Sequence, residues 1–168
     1  RVFTFQVQNE GIDSDWLSQF NQVRIKDSTR FEIPEEFHEI LPGSGGSASK
    51  AGVCIQYEYD VKSGKILDLV ITPANRPDVK DAKETMLNLE KGDLIIRDLG
   101  YYSLEVIDQI RVSQAYFISR IDSTTKVYTG KDGQIKEVDF AALRNLMIKQ
   151  GLQKIELPVL IGKVARTY

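Results

Sequence analysis

Asp27 and Asp98 are the residues of this chain best placed to do chemistry. Each continues the apolar parity of a strand-like run: Asp27 follows Val23 and Ile25, and Asp98 follows Leu94 and Ile96. A carboxylate on such a face is costly unless a partner or a metal ion satisfies it. If the two strands lie side by side, both acids meet at one edge of a sheet. They would then form an all-oxygen ligand pair suited to Mg2+ or Mn2+. A plainer use stays open for both. Asp27 before Ser28-Thr29 can form a turn, and Asp98 before Leu99-Gly100 can close a strand.

The rest of the inventory narrows the chemistry. His38 is the only histidine and Cys54 the only cysteine. That excludes an intrachain disulfide, a cysteine-cluster zinc site and a multi-histidine metal site, so metal chemistry falls to carboxylates. The 168 residues, 42% hydrophobic and 27% charged, have the balance of a globular domain with a genuine core. A net charge of −2 excludes a nucleic-acid binder that works through bulk positive charge, though not one with a local basic face. No apolar run approaches the roughly 20 residues of a membrane span, and no membrane partner is expected. The chain opens at Arg1 without a methionine and is expected to be an excised piece of a longer protein.

Period and punctuation locate the elements that must position the two acids. Residues 23–27 alternate with period two, and Thr29, Phe31 and Ile33 keep the parity, which predicts a strand. Pro34 opens a short helical turn. Residues 42–52 form a small-residue loop without the Gly-Lys-Ser/Thr ending of a phosphate cradle, so nucleotide binding is rejected. Residues 53–60 and 66–72 predict a hairpin about Lys62-Ser63-Gly64-Lys65. Asp78 is expected to cap a helix running through Val79, Ala82, Met86 and Leu89 to Gly92. Residues 93–98 predict a central strand covered on both faces.

Ser103 then caps a helix with Leu104, Ile107 and Ile110 inside, and residues 115–121 make a fifth strand. Beyond Thr124 the pattern shifts to short strands at 126–129 and 134–138 about a glycine turn. Asp139 caps a helix ending at Gly151, and residues 154–161 read as an edge strand with Pro158. Residues 1–20 read as a lead-in with a short helix near Asp15. Charge is uneven: residues 120–168 carry nine basic and five acidic side chains, a net of +4 that leaves −6 on residues 1–119. The basic stretch is either a solvated face or a region that meets phosphates.

Three stretches together resemble a known family. They are Ile25-Lys26-Asp27-Ser28-Thr29-Arg30-Phe31, the Leu41-Pro42-Gly43 loop, and the run from Asp93 to Asp98-Leu99-Gly100-Tyr101 followed by Tyr116-Phe117-Ile118-Ser119-Arg120. They resemble the DDE transposases of bacterial insertion sequences, in the branch called type 4, and the resemblance covers nearly the whole chain. It implies an α/β fold, a ribonuclease-H-like mixed five-stranded sheet flanked by helices, with a β-rich insertion subdomain. Residues 1–122 would be the N-terminal portion of the catalytic core, and residues 123–168 an incomplete insertion. Leu99 departs from relatives that often carry a basic or small residue there.

The same resemblance makes Asp27 and Asp98 the first two of three catalytic acids and ligands of Mg2+ or Mn2+. Asp27 would be shared between two ions and Asp98 would hold one. The third acid of the family is a glutamate in a tyrosine-arginine-glutamate-lysine motif, which does not occur in these 168 residues. The implied reaction is DNA strand cleavage and strand transfer at transposon ends, with divalent ions on the attacking and leaving oxygens. Without the third acid the isolated chain is expected to be inactive or nearly so. DNA, both transposon ends and target, is the implied partner, with a homodimer in the full-length protein and a cytoplasmic, nucleoid-associated location in a bacterium.

Lesser candidates surround the pair. Arg30, Tyr101 and Arg120 are candidate DNA contacts: Arg120 could reach a phosphate or close a salt bridge, and Tyr101 could stack on a base or fill the core. Some of Arg24, Lys26 and Arg30 are expected merely to solvate the strand around Asp27. Two other functions fit the same residues. One is a metal-dependent nuclease that only hydrolyses, and the other is a non-catalytic DNA-binding or inhibitory module in which both aspartates are structural.

Overall fold

Period-two alternation over residues 23–32, 52–60 and 65–73 produces three strands of one sheet: β1 (Val23–Glu32), β2 (Gly52–Asp60) and β3 (Lys65–Pro73). A computed structural model describes residues 15–45, 49–84, 88–130 and 134–162. Two further strands, β4 (Leu94–Arg97) and β5 (Tyr116–Ser119), complete a five-stranded sheet in the order β3-β2-β1-β4-β5. The first three strands pair antiparallel, while β1, β4 and β5 run parallel. The fold is therefore α/β with a mixed sheet, and β4 lies inside it as its uninterrupted apolar run requires.

Parallel strands need crossovers, and two helices supply them. Helix α1 (Asp78–Glu84) precedes β4, and α2 (Leu104–Val112) joins β4 to β5. Ser103 caps α2, its side chain accepting from Val106 N at 3.1 Å, as a serine at that position should. The helix buries Val106 and Ile110, not the expected Leu104, which stays exposed. One turn apart, Val106 and Ile110 pack with Ala82 of α1, Ile95 of β4 and Tyr101. Helix α1 is described over Asp78–Glu84; Leu89 lies outside it, and Met86 falls outside the described residues.

The chain divides into two compact units, residues 1–120 and 121–168. The second holds a three-stranded sheet of β6 (Val127–Thr129), β7 (Lys136–Glu137) and β8 (Leu160–Ile161) with helix α3 (Phe140–Gln150). Asp139 caps α3 by accepting from Ala142 N at 2.9 Å, and Gly151 ends it at φ 65°, where a glycine costs least. Of the edge strand expected over residues 154–161 only the last two residues pair, beyond Pro158, which has no N–H to offer a ladder. No helix among the described residues is long and apolar enough to cross a membrane.

The helix-covered face of the large sheet is rich in charge. Beside the apolar Cys54 and Ile95 it carries Arg24 and Lys26 of β1, Gln56, Glu58 and Asp60 of β2, and Arg97 of β4, all buried. The opposite face shows Ile25, Leu69, Ile71, Tyr116 and Ile118, all exposed. The expectation that some of Arg24, Lys26 and Arg30 solvate the strand fails for the first two. Lys26 is 2% exposed, because even-numbered residues of β1 point at the helices.

Asp60 fastens the start of β1 to the end of β2. Its Oδ1 accepts from Val23 N at 3.0 Å and Lys62 N at 3.2 Å, and its Oδ2 accepts from Ser63 N at 3.1 Å. Burial raises its pKa, but the hydrogen bonds from Ser63, Val23 and Lys62 outweigh it and hold the carboxyl below its ordinary value. A carboxyl depressed in the folded state stabilises above its unfolded pKa of about 3.9 and loses that contribution as pH falls through the folded value. Asp60→Asn is therefore expected to lower stability by about 1–3 kcal/mol at pH 7. Urea unfolding should show the parent and variant converging as the pH drops below about 4.

Candidate functional site

Parallel pairing of β1 with β4 decides where the two aspartates meet. The register aligns Val23 with Leu94, Ile25 with Ile96 and Lys26 with Arg97. Continued by one step, that register would bring Asp98, the residue after β4, level with Asp27. The same step from the Arg97–Ser119 pair of β4 and β5 places Arg120 beside Asp98. In this register Asp27, Asp98 and Arg120 fall in one row, just past the carboxyl ends of β4 and β5 but midway along the ten-residue β1. The carboxyl ends of parallel strands are where open α/β sheets generally bind ligands.

Both acids are exposed, unlike the charges behind them. Asp27 Oδ1 accepts from Ser28 N at 2.8 Å. Asp98 Oδ1 meets Arg120 Nη1 at 3.6 Å in an exposed ion pair worth about 0–1 kcal/mol. A donor set of two carboxylates open to solvent fits Mg2+, which takes one or two carboxylates and keeps water or phosphate oxygens as its other ligands. Asp27 and Asp98 are the residues that would hold it. Among the described residues no three histidine, cysteine or acidic side chains group as a metal site, so the pair by itself is not a closed cage.

The lesser candidates separate clearly. Tyr101 is 3% exposed, and its hydroxyl donates to Gln56 Oε1 at 2.6 Å. Burial first, and then the negative charges of Asp78, Asp27 and Asp81, push its pKa well above the ordinary phenol value, against the pull of a hydrogen bond with Ser28. A ring packed in the core offers no face to a base, so Tyr101 takes the packing role. Arg30 is partly exposed but committed: Nη2 lies 2.6 Å from Asp78 Oδ1, Nη1 3.3 Å from Ser28 Oγ, and Nε 3.3 Å from Ala74 O. Arg120 keeps its side chain 77% exposed at the row of acids.

Sequence reading missed the layer beneath this row. Arg24 donates to both oxygens of Glu58, at 3.1 Å each, and Arg97 Nη2 lies 3.4 Å from Glu58 Oε1. Lys26 Nζ lies 2.7 Å from Asp81 Oδ2 and 3.0 Å from Asp68 Oδ2. The residue preceding each candidate acid, Lys26 or Arg97, is therefore a buried cation held by carboxylates. A signal was available: Gln56, Glu58 and Asp60 alternate with Ile55, Tyr57 and Tyr59 as Arg24 and Lys26 alternate with Val23 and Ile25. Two adjacent strands with one charged parity each can satisfy one another inside the protein.

Comparison with known proteins places the chain among relatives. The sequence model of the family described as "Transposase DDE domain" matches residues 18–164. The chain is 38% identical over 149 residues to "Transposase for insertion sequence element IS231F" of Bacillus thuringiensis subsp. israelensis, covering 89% of this chain and 30% of that protein. It is 40% identical over 150 residues to "Transposase for insertion sequence element IS231B" of Bacillus thuringiensis subsp. berliner, with the same two coverages. "Transposase for insertion sequence element IS1151" of Clostridium perfringens is 33% identical over 109 residues, 65% of this chain and 23% of that protein. The chain thus spans about 30% of the length of the first two relatives. No solved structure matches it at a significant level.

Glu58 is the carboxylate that both buried arginines share. Glu58→Ala leaves Arg24 and Arg97 in the interior without their principal countercharge, which is expected to cost about 3–5 kcal/mol. Chemical denaturation of the two proteins at pH 7 measures it; a loss under about 1 kcal/mol would show that water or another acid replaces Glu58.

Proposed function

This chain belongs to the DDE transposases of insertion sequences, and on that premise we propose that it carries two acids of a metal-dependent DNA strand-transfer site. Asp27 and Asp98 are the metal ligands and catalytic residues in this reading. The observation that supports it is the parallel register of β1 and β4, whose next step would bring Asp98, at the carboxyl end of β4, level with Asp27. The five-stranded sheet is a ribonuclease-H-like core, and residues 123–168 belong to its β-rich insertion, as in the type 4 branch. A third acid comes from the remainder of the longer protein.

Chemistry assigns the parts. A bound divalent cation would supply charge stabilisation at the scissile phosphate. Asp27 and Asp98 would hold that cation, their exposed carboxylates supplying hard oxygen ligands. Arg120, exposed beside Asp98, contacts a DNA phosphate when the weak Asp98 pair opens. Arg30 braces the strand next to Asp27 and is at most a secondary contact. The DNA partners are element ends and target, and the whole protein acts as a homodimer in the bacterial cytoplasm at the nucleoid.

The decisive variants are Asp27→Asn and Asp98→Asn in a protein that carries the complete catalytic domain. Each is expected to lower Mg2+-dependent cleavage of element-end DNA beyond the 10–100-fold that an outer-shell partner typically costs, with folding unchanged. Unchanged cleavage in both would mean the aspartates are structural. The same assay distinguishes a nuclease, because a transposase also joins the 3′-hydroxyl product to a second duplex. Arg120→Ala should weaken DNA binding and reduce its salt dependence by about one counterion, without changing metal affinity.

A further inference from the structure

Helix α1 reaches the back of β1 through two acids one turn apart, Asp78 and Asp81. Asp81 holds Lys26, the residue before Asp27. Asp78 takes the residues after it. Its Oδ1 accepts from Ser28 Oγ at 3.2 Å, Arg30 Nη2 at 2.6 Å and Gln56 Nε2 at 2.7 Å. Its Oδ2 lies against the other strand end, 3.1 Å from where a Cβ on Gly100 would sit. That approach explains a glycine two residues beyond Asp98, since any side chain there would press on the carboxylate.

We propose that Asp78 is a positioning residue of the Asp27–Asp98 site, fixing the separation of the two carboxylates from the opposite face of the sheet. The inference rests on the reading of those two aspartates as a metal pair. A single group that bonds to Ser28 and abuts Gly100 ties together the chain segments following both acids. Its side chain is 16% exposed and its charge is balanced by Arg30, so the bonds hold in a setting screened less than the surface. Gln56 extends the tie, bonding Asp78 on one side and the hydroxyl of Tyr101, next to Gly100, on the other. Without Asp78, β1 and β4 still pair through their backbones, but the segments one residue past that pairing lose their common anchor.

The test uses the 168-residue chain with Mn2+ alone as the probe, its free concentration read by electron paramagnetic resonance. Asp78→Ala is expected to raise the Mn2+ dissociation constant at least about tenfold, the usual effect of losing an outer-shell partner. Asp78→Asn, which keeps the shape and one acceptor oxygen, should fall between Asp78→Ala and the parent. Leu17→Ala, a core truncation at the far ends of β1 and β4, should lower stability yet leave Mn2+ affinity unchanged. Parent-like Mn2+ binding by Asp78→Ala overturns the positioning role. Parent-like binding by Asp27→Asn and Asp98→Asn instead overturns the metal pair itself. Amide hydrogen exchange adds an arm that needs no metal: in Asp78→Ala, exchange should quicken selectively at residues 27–28 and 98–100. Exchange that quickens no more there than in Leu17→Ala also overturns the proposal.

Discussion

A charged layer sealed between a sheet and its helices is the constraint on which the rest of this molecule depends. Arg24, Lys26 and Arg97 point into the space where most α/β folds place only aliphatic side chains, and Glu58, Asp68 and Asp81 meet them there. Buried ion pairs of this kind contribute little net stability compared with apolar residues of the same volume, because desolvation offsets the attraction. What they impose is register. A one-residue slip of β1 against β2 or β4 would send Arg24 and Lys26 to the open face and Val23 and Ile25 under the helices. The cost of that slip fixes Lys26 opposite Arg97, and the next residues along are Asp27 and Asp98.

The sheet thereby separates two tasks by parity. Even-numbered residues of β1 do the holding and odd-numbered ones face outward, so the acids are exposed to solvent and substrate while their backbones are locked from behind. Exposed carboxylates stay within reach of a hard cation from solvent, whereas burying an unpaired set would carry a large penalty. Arg120 joins the row through the same parallel register, by way of β5. Its weak pair with Asp98 leaves the guanidinium free to exchange one anion for another.

Much of this was legible in the sequence. The strands of the large sheet, the Ser103 and Asp139 caps and the centrality of β4 follow from periodicity and capping chemistry, and the acids at positions 27 and 98 stand out because they break an apolar parity. The charged layer was not legible, because Arg24 and Lys26 look like any solvated side chains until β2 is paired beside them. Tyr101 illustrates the same limit: an aromatic ring after a strand suits stacking or packing, and only the fold puts its hydroxyl on Gln56. Asp78 looked like a helix cap, since aspartate after proline at a helix start usually is one. The positions of Ser28, Arg30 and Gln56 on adjacent strands, which no local pattern reveals, gave it another use. Leu89, expected on the same helix as Ala82, reaches the core from outside it.

Anomalous diffraction from crystals of the chain grown with Mn2+ tests the central claim most directly. The account predicts a peak beside the carboxyl end of β4, about 2.0–2.2 Å from a carboxylate oxygen of Asp27 and of Asp98 together. A manganese bound elsewhere, with these two side chains turned apart and neither ligating it, would contradict it.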